Sequence, residues 1–132
     1  MRRALPDVMS NIKSFRDLIL WQKSMDLADR CYSRSLRFPR EHQLVLGHQI
    51  RKSSVSVPSN VAEGFGRHYT AAYINHLWMA NGSDHELQTQ LELARRQRLL
   101  SADEATILIA DADEVARILN GLVKSLERPT RT

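Results

Sequence analysis

At 132 residues, with 42% hydrophobic residues and one cysteine, the chain is sized for a single domain that buries roughly two-thirds of its unfolded surface without help from a disulfide or a metal. The net charge of +4 is modest, and the basic excess is N-terminal: residues 1–40 hold nine Lys/Arg against four Asp/Glu, and residues 71–132 hold seven against nine. That asymmetry permits contact with a polyanion such as RNA and fits a solvated basic helix face equally well, while the lack of any run near 20 apolar residues excludes a membrane span.

Residues 1–13 contain Pro6, show no consistent period and read as an N-terminal arm. Met1 to Pro6 is basic, but no apolar run of signal length follows, so the expected compartment is the cytoplasm. The first helix is predicted from near Ser14, where Asp17 completes a capping-box-like turn, to near Arg37, with Leu18, Trp21, Met25, Ala28 and Tyr32 as its apolar face. Phe38-Pro39 ends it, because the residue before a proline disfavours helix. Cys31 sits on a mostly apolar stretch and reads as a buried structural thiol.

A second helix is predicted over residues 40–66, with Pro39 in its opening turn and Glu41 suited to the helix N-terminus. Gln49, Ser53, Ser56, Asn60, Glu63 and Arg67 form a polar seam along it, beside an apolar seam of Leu46, Ile50, Val57 and Val61. Pro58 removes the bond to the Ser54 carbonyl, at a cost of roughly 3 kcal/mol unless packing offsets it. The seams stay in phase on both sides, which predicts a kink, against the alternative of two shorter helices joined at Val57-Pro58. Gly64 and Gly66 read as the C-terminal stop.

Thr70 is placed to cap a third helix that runs to near Leu99, in which Tyr73, Leu77, Ala80, Leu87, Leu91 and Ala94 are interrupted only by Asp84. Ser101 to Glu104 forms a capping box. Ala105, Leu108, Ala112, Val115, Leu119, Leu122 and Leu126 then repeat until Pro129, and residues 129–132 are left as a tail. The fold class is all-α: residues 14–128 form an antiparallel up-down-up-down four-helix bundle whose second helix is kinked at Pro58.

The five histidines lack metal-ligand spacing, since His42 and His48 are six apart, His76 and His85 nine apart, and no Glu-x-x-His occurs. Glu63 and Glu86 are the only carboxylates placed to face each other across helices two and three, yet each has a ready structural partner nearby. No nucleophile, metal or cofactor motif accompanies them, so no enzymatic activity and no cofactor is expected. For nucleic acid the candidates are Arg51, Lys52 and Arg67 on helix two and Arg95, Arg96 and Arg98 at the end of helix three. Arginine suits bidentate phosphate contacts, and no aromatic platform interleaves with these positions, so binding would be to the backbone rather than to sequence. Basic residues in a last turn also complement the helix dipole.

Several motifs together resemble the 23S rRNA intervening-sequence proteins: Phe15-Arg-Asp-Leu18 with Trp21-Gln22-Lys23, Phe38-Pro39, Gln49-Ile50, Ser56-Val-Pro-Ser-Asn-Val-Ala-Glu-Gly-Phe-Gly-Arg67, and Ala80-Asn-Gly-Ser83 leading to Glu86-Leu87. Lys52-Ser53 departs from the family's usual Arg-Ala at that point. The resemblance implies a four-helix bundle assembled into homopentamers around an axial channel, with no established enzymatic activity. The fold is also similar to the accessory protein of diversity-generating retroelements, which binds nucleic acid and a reverse transcriptase. The expectation is therefore a non-enzymatic homo-oligomer that binds RNA or other nucleic acid, with a protein-interaction scaffold as the alternative. Gln49, Ser56, Pro58, Asn60, Glu63, Ser83 and Glu86 are expected to serve structure or a subunit interface.

Overall fold

The computed structural model describes residues 11–129, and among them every regular element is helical. A 3-10 turn, Phe15–Asp17, precedes four helices: α1 (Ile19–Ser35), α2, α3 (Thr70–Arg96) and α4 (Ala102–Glu127). Helix α2 is one helical run made of Arg40–His42, a π-helical segment Gln43–Gly47, and His48–Phe65. Each helix packs against two neighbours, α1 on α2 and α4, and α3 on α2 and α4. On α1 and α4 the pairs Lys23–Glu114, Arg30–Asp111 and Arg34–Glu104 run in opposite chain order, which makes those helices antiparallel.

The capping box at Ser14 forms, but around the 3-10 turn: Asp17 accepts from the Ser14 amide at 3.1 Å, Leu18 is extended, and α1 starts only at Ile19. Ile12 packs against the core, and the first ten residues of the expected arm lie outside the described residues, as do the last three of the tail. The apolar face of α1 also differs from expectation. Its buried residues are Leu20, Ser24, Leu27, Ala28, Cys31 and Ser35, whereas Met25 and Tyr32 are 42% and 46% exposed. Two serines can be buried because Ser24 Oγ donates to the Trp21 carbonyl and Ser35 Oγ to that of Tyr32, at 3.0 and 2.9 Å. Burial pushes the Cys31 thiol up to about 12, so it stays protonated.

Helix α2 continues through Pro58, which is buried. Its polar seam is met by α3 along its length. Ser53 Oγ donates to Gln90 Oε1 at 2.6 Å, the Ser56 and Ser83 hydroxyls share a bond of 2.8 Å, and Asn60 Oδ1 lies 3.4 Å from His76 Nδ1. Gly64 is not a stop signal here but a close-contact position inside the helix. A Cβ there would lie 2.7 Å from His76 Cβ and 3.1 Å from Tyr73 Cδ1. The expected third and fourth seams are buried, apart from Leu122, which is half-buried. Thr70 is the first residue of α3 rather than its cap, a place taken by Tyr69.

Helix α3 ends at Arg96, three residues short of expectation, because Arg98 takes a left-handed φ of 59°. The Leu99 amide reaches the Ala94 carbonyl at 2.9 Å and the Arg98 amide reaches that of Arg95 at 3.0 Å, a Schellman motif with arginine where glycine usually stands. The capping box at the start of α4 is formed from both sides, Ser101 Oγ accepting from the Glu104 amide and Glu104 Oε1 from the Ser101 amide.

Asp84 is fully buried inside α3, with Oδ1 accepting from Gln88 Nε2 at 2.7 Å and Oδ2 without a hydrogen-bond partner among the described residues. Burial raises its carboxyl to about 6, Asp113 adds to that, and the Gln88 bond and His85 oppose it. The folded chain thus holds this proton more tightly than an unfolded chain at 3.8. The ionised form weakens the fold above about pH 6, and that cost disappears below about pH 4. Chemical denaturation should therefore show the wild type gaining stability as pH falls from 7 to 5, with Asp84→Asn more stable above pH 7 by about 1 to 3 kcal/mol and flat over that window. A wild-type profile that does not rise on acidification contradicts this. Gly64→Ala should cost roughly 1 to 3 kcal/mol in the same assay, since the α2–α3 backbones must part to admit the methyl group; an unchanged midpoint would show that the contact relaxes freely.

Candidate nucleic-acid interface

The six expected cations do not form one patch. Arg67 stands at one end of the bundle, where Nη2 donates to Glu63 Oε1 at 3.1 Å and Nε to His76 Nε2 at 3.2 Å. Accepting on Nε2 leaves the His76 proton on Nδ1, facing Asn60 Oδ1, so Glu63, Arg67, His76 and Asn60 form a closed polar cluster. Glu86 belongs to another level of the α2–α3 groove, near Lys52 and Gln90. The Ser56–Ser83 contact lies between the two carboxylates, which sit about 15 Å apart along the axis at 1.5 Å per residue. They do not face each other as an acid-base pair would.

The opposite end gathers the C-terminus of α1, the start of α2, the end of α3 and the start of α4. The Arg34–Glu104 ion pair, the Arg51–Ser35 bond, and a groove bordered by Leu46, Lys52 and Leu93 hold these together. Residues 34–52 and 92–104 carry eight Arg/Lys against four Asp/Glu. Arg51 is half-buried and occupied internally: its Nη1 donates to Ser35 Oγ at 3.0 Å and Nη2 to the Gln43 carbonyl at 2.8 Å, and its guanidinium lies 5.8 Å from the Tyr32 ring centroid. It braces the π-helical segment, a role that sequence spacing does not reveal. Arg95 is held on both oxygens of Glu92 at 3.0 Å, an arrangement that lowers the Glu92 carboxyl and raises the guanidinium.

Arg96 shares the same carboxylate at 3.6 Å and is otherwise exposed, and Lys52 and Arg98 are exposed without an ion pair within 4.0 Å among the described residues. Arg37 and Arg40, which spacing did not single out, stand at the same end in the same condition. Their only signal in the sequence is their place on either side of Phe38-Pro39, the corner between α1 and α2, where Phe38 itself turns into the core. Among the described residues no group of three or more His, Cys, Asp or Glu is gathered as a metal would need, and no helix is long and apolar enough to cross a membrane.

Gln49 and Glu86 border the α2–α3 groove, while Ser56, Asn60 and Ser83 hydrogen-bond within it. Pro58 faces the other way and, with Trp21, Met25, Tyr32 and Val55, borders an apolar groove between α1 and α2.

Comparison with solved structures finds a similar bundle in a crystal structure of a protein of unknown function from the S23 ribosomal protein family of Bacteroides thetaiotaomicron VPI-5482. The match has a TM-score of 0.74 at 24% identity, covering 80% of this chain and 99% of that one. No curated protein matches the chain. Residues 16–121 match the family described as 23S rRNA-intervening sequence protein, so most of the bundle, from the 3-10 turn to the last turns of α4, is accounted for by one family. The chain belongs to the 23S rRNA-intervening sequence protein family.

Proposed function

We propose that this chain is a non-enzymatic, cytoplasmic, self-associating bundle that holds nucleic acid, RNA first, by its phosphate backbone at the basic end. The observation that carries this reading is Arg98. A left-handed residue at the end of a helix favours glycine, and a side chain there costs about 1 kcal/mol; this chain instead keeps in that turn an exposed guanidinium without an ion pair among the described residues. Arg96 and Lys52 lie at the same end of the bundle. The family's description, which refers to 23S rRNA, supports RNA as the polyanion. Each phosphate contact is weak, so repetition of the basic end around an oligomer, a pentamer on the family resemblance, supplies the affinity.

A protein-interaction scaffold draws on a different surface, the apolar groove between α1 and α2. Titration with mixed-sequence single-stranded RNA over a range of salt separates the two readings. Binding should weaken linearly on a log-log plot, and replacing Lys52, Arg96 and Arg98 by glutamine should shallow the slope by about 0.7 for each phosphate no longer neutralised. Arg51→Gln should instead lower stability by about 1 to 3 kcal/mol with its slope unchanged, since its donors are occupied inside the chain. An unchanged slope in the triple variant overturns the nucleic-acid reading. Arg98→Gly is the sharpest single change: it should raise stability by about 1 kcal/mol while weakening RNA binding. Gain of both, or loss of both, contradicts the role given to this residue.

A further inference from the structure

The groove between α1 and α2 encloses about 560 Å³, with Trp21, Met25 and Tyr32 on one wall and Val55 and Pro58 on the other. It is open: Met25 is 42% and Val55 44% exposed. Asp26 and Asp29 border it from α1, both exposed and without a cation within 4.0 Å among the described residues. The site is therefore apolar with an acidic rim. Large apolar side chains in such a place mark a surface that is covered by something.

The complementary surface is on the same chain. The π-helical segment turns Leu44 and Val45 outward, 84% and 61% exposed, while Leu46 and Ile50 face the core. Leu36, 56% exposed at the end of α1, has its carbonyl bonded to Gln43 next to Leu44 at 2.8 Å, Arg37 follows it in the chain and Arg40 lies one turn before Leu44, both arginines exposed and without ion pairs among the described residues. The protrusion is apolar with a basic rim. The protrusion of one copy cannot reach the groove of that same copy, because Leu44 and Val55 lie eleven residues apart on one helix, about 17 Å at 1.5 Å per residue.

We propose that the Leu44–Val45 protrusion of one copy seats in the Trp21–Pro58 groove of the next, with Arg37 and Arg40 facing Asp26 and Asp29. The proposal rests on the self-association proposed above and names its surface. Two different patches meet, so the contact is heterologous: every copy offers one groove and one protrusion, and the assembly grows head to tail until rotation closes a ring. Opposed charges at the rim would fix the orientation of the docked copy. Lys52, Arg96 and Arg98 form no part of the contact, which leaves them to a polyanion.

Two exposed positions supply the test, Leu44→Glu for the protrusion and Val55→Glu for the groove, with helicity followed by circular dichroism. Purified, nuclease-treated wild type should scatter light as an oligomer, and each variant alone should be a monomer. An equimolar mixture should give a dimer and nothing larger, because Val55→Glu still offers a protrusion and Leu44→Glu still offers a groove. A monomeric wild type at high micromolar concentration overturns the proposal and leaves the groove to a foreign apolar segment. A variant that keeps the wild-type size, or a mixture that stays monomeric, overturns it as well. If Val55→Glu loses helicity, reversing both rims serves instead: Asp26→Lys with Asp29→Lys should abolish assembly, and adding Arg37→Glu with Arg40→Glu should restore it. RNA titration of monomeric Leu44→Glu reads the nucleic-acid proposal separately, since that variant retains Lys52, Arg96 and Arg98.

Discussion

The α2–α3 interface is the constraint on which the rest of the bundle depends. Helix α2 brings Ser53, Ser56 and Asn60 into buried or half-buried positions, with Arg67 exposed just past its end, and a buried polar group left without a partner costs about 1 to 3 kcal/mol. Helix α3 answers in the matching order with Gln90, Ser83 and His76. An apolar seam alone tolerates a slip between helices, because one methyl group replaces another. Here a slip breaks several hydrogen bonds at once. The apolar residues supply most of the favourable free energy, and the polar ladder selects one register out of those they would allow.

A second polar lock sets the corner between α1 and α2. The π-helical segment interrupts the ordinary pattern of backbone bonding, and the Arg51 guanidinium reaches back to the Gln43 carbonyl. Gln43 in turn donates to the carbonyls of Leu36 and Phe38, at 2.8 and 2.7 Å, across the end of α1. Gly47 allows the close approach, since a Cβ there would sit 3.2 Å from Arg51 Nη1. A residue with the chemistry of a phosphate ligand is thus consumed by the fold, and the same distortion puts Leu44 and Val45 into solvent.

What the sequence discloses follows from which interactions are local. The seams of α3 and α4 keep a strict period, and the capping boxes at Ser14 and Ser101 involve residues three apart, so all were legible. The α1 face was not, because buried Ser24 and Ser35 look polar until their bonds to the preceding turn are seen, and Met25 and Tyr32 look like core until nothing covers them. The π-helical segment rests on Gln43–Arg51 contacts eight residues apart, and the left-handed Arg98 carries no glycine to announce it. Among the candidate cations, the Glu92–Arg95 and Glu63–Arg67 pairs have helical spacing and could have been discounted in advance. The gathering of Lys52, Arg96, Arg98, Arg37 and Arg40 at one end is tertiary and was out of reach.

Three features run against the interest of stability alone: a buried carboxylate at Asp84, a side chain in the left-handed turn at Arg98, and large apolar groups in solvent at Leu44 and Val45. Departures of this kind are where function is expected to have overridden the folding rules. They do not point to one place. Asp84 is sealed inside the bundle and touches no outside partner, so its effect is confined to how the fold responds to pH. Arg98 and Leu44 are exposed, and the helices that carry them meet at the same end of the molecule, α3 finishing where α2 begins. The local costs at the surface thus converge on the basic end, and there a charged turn and an apolar protrusion offer two chemistries that need not compete for one partner.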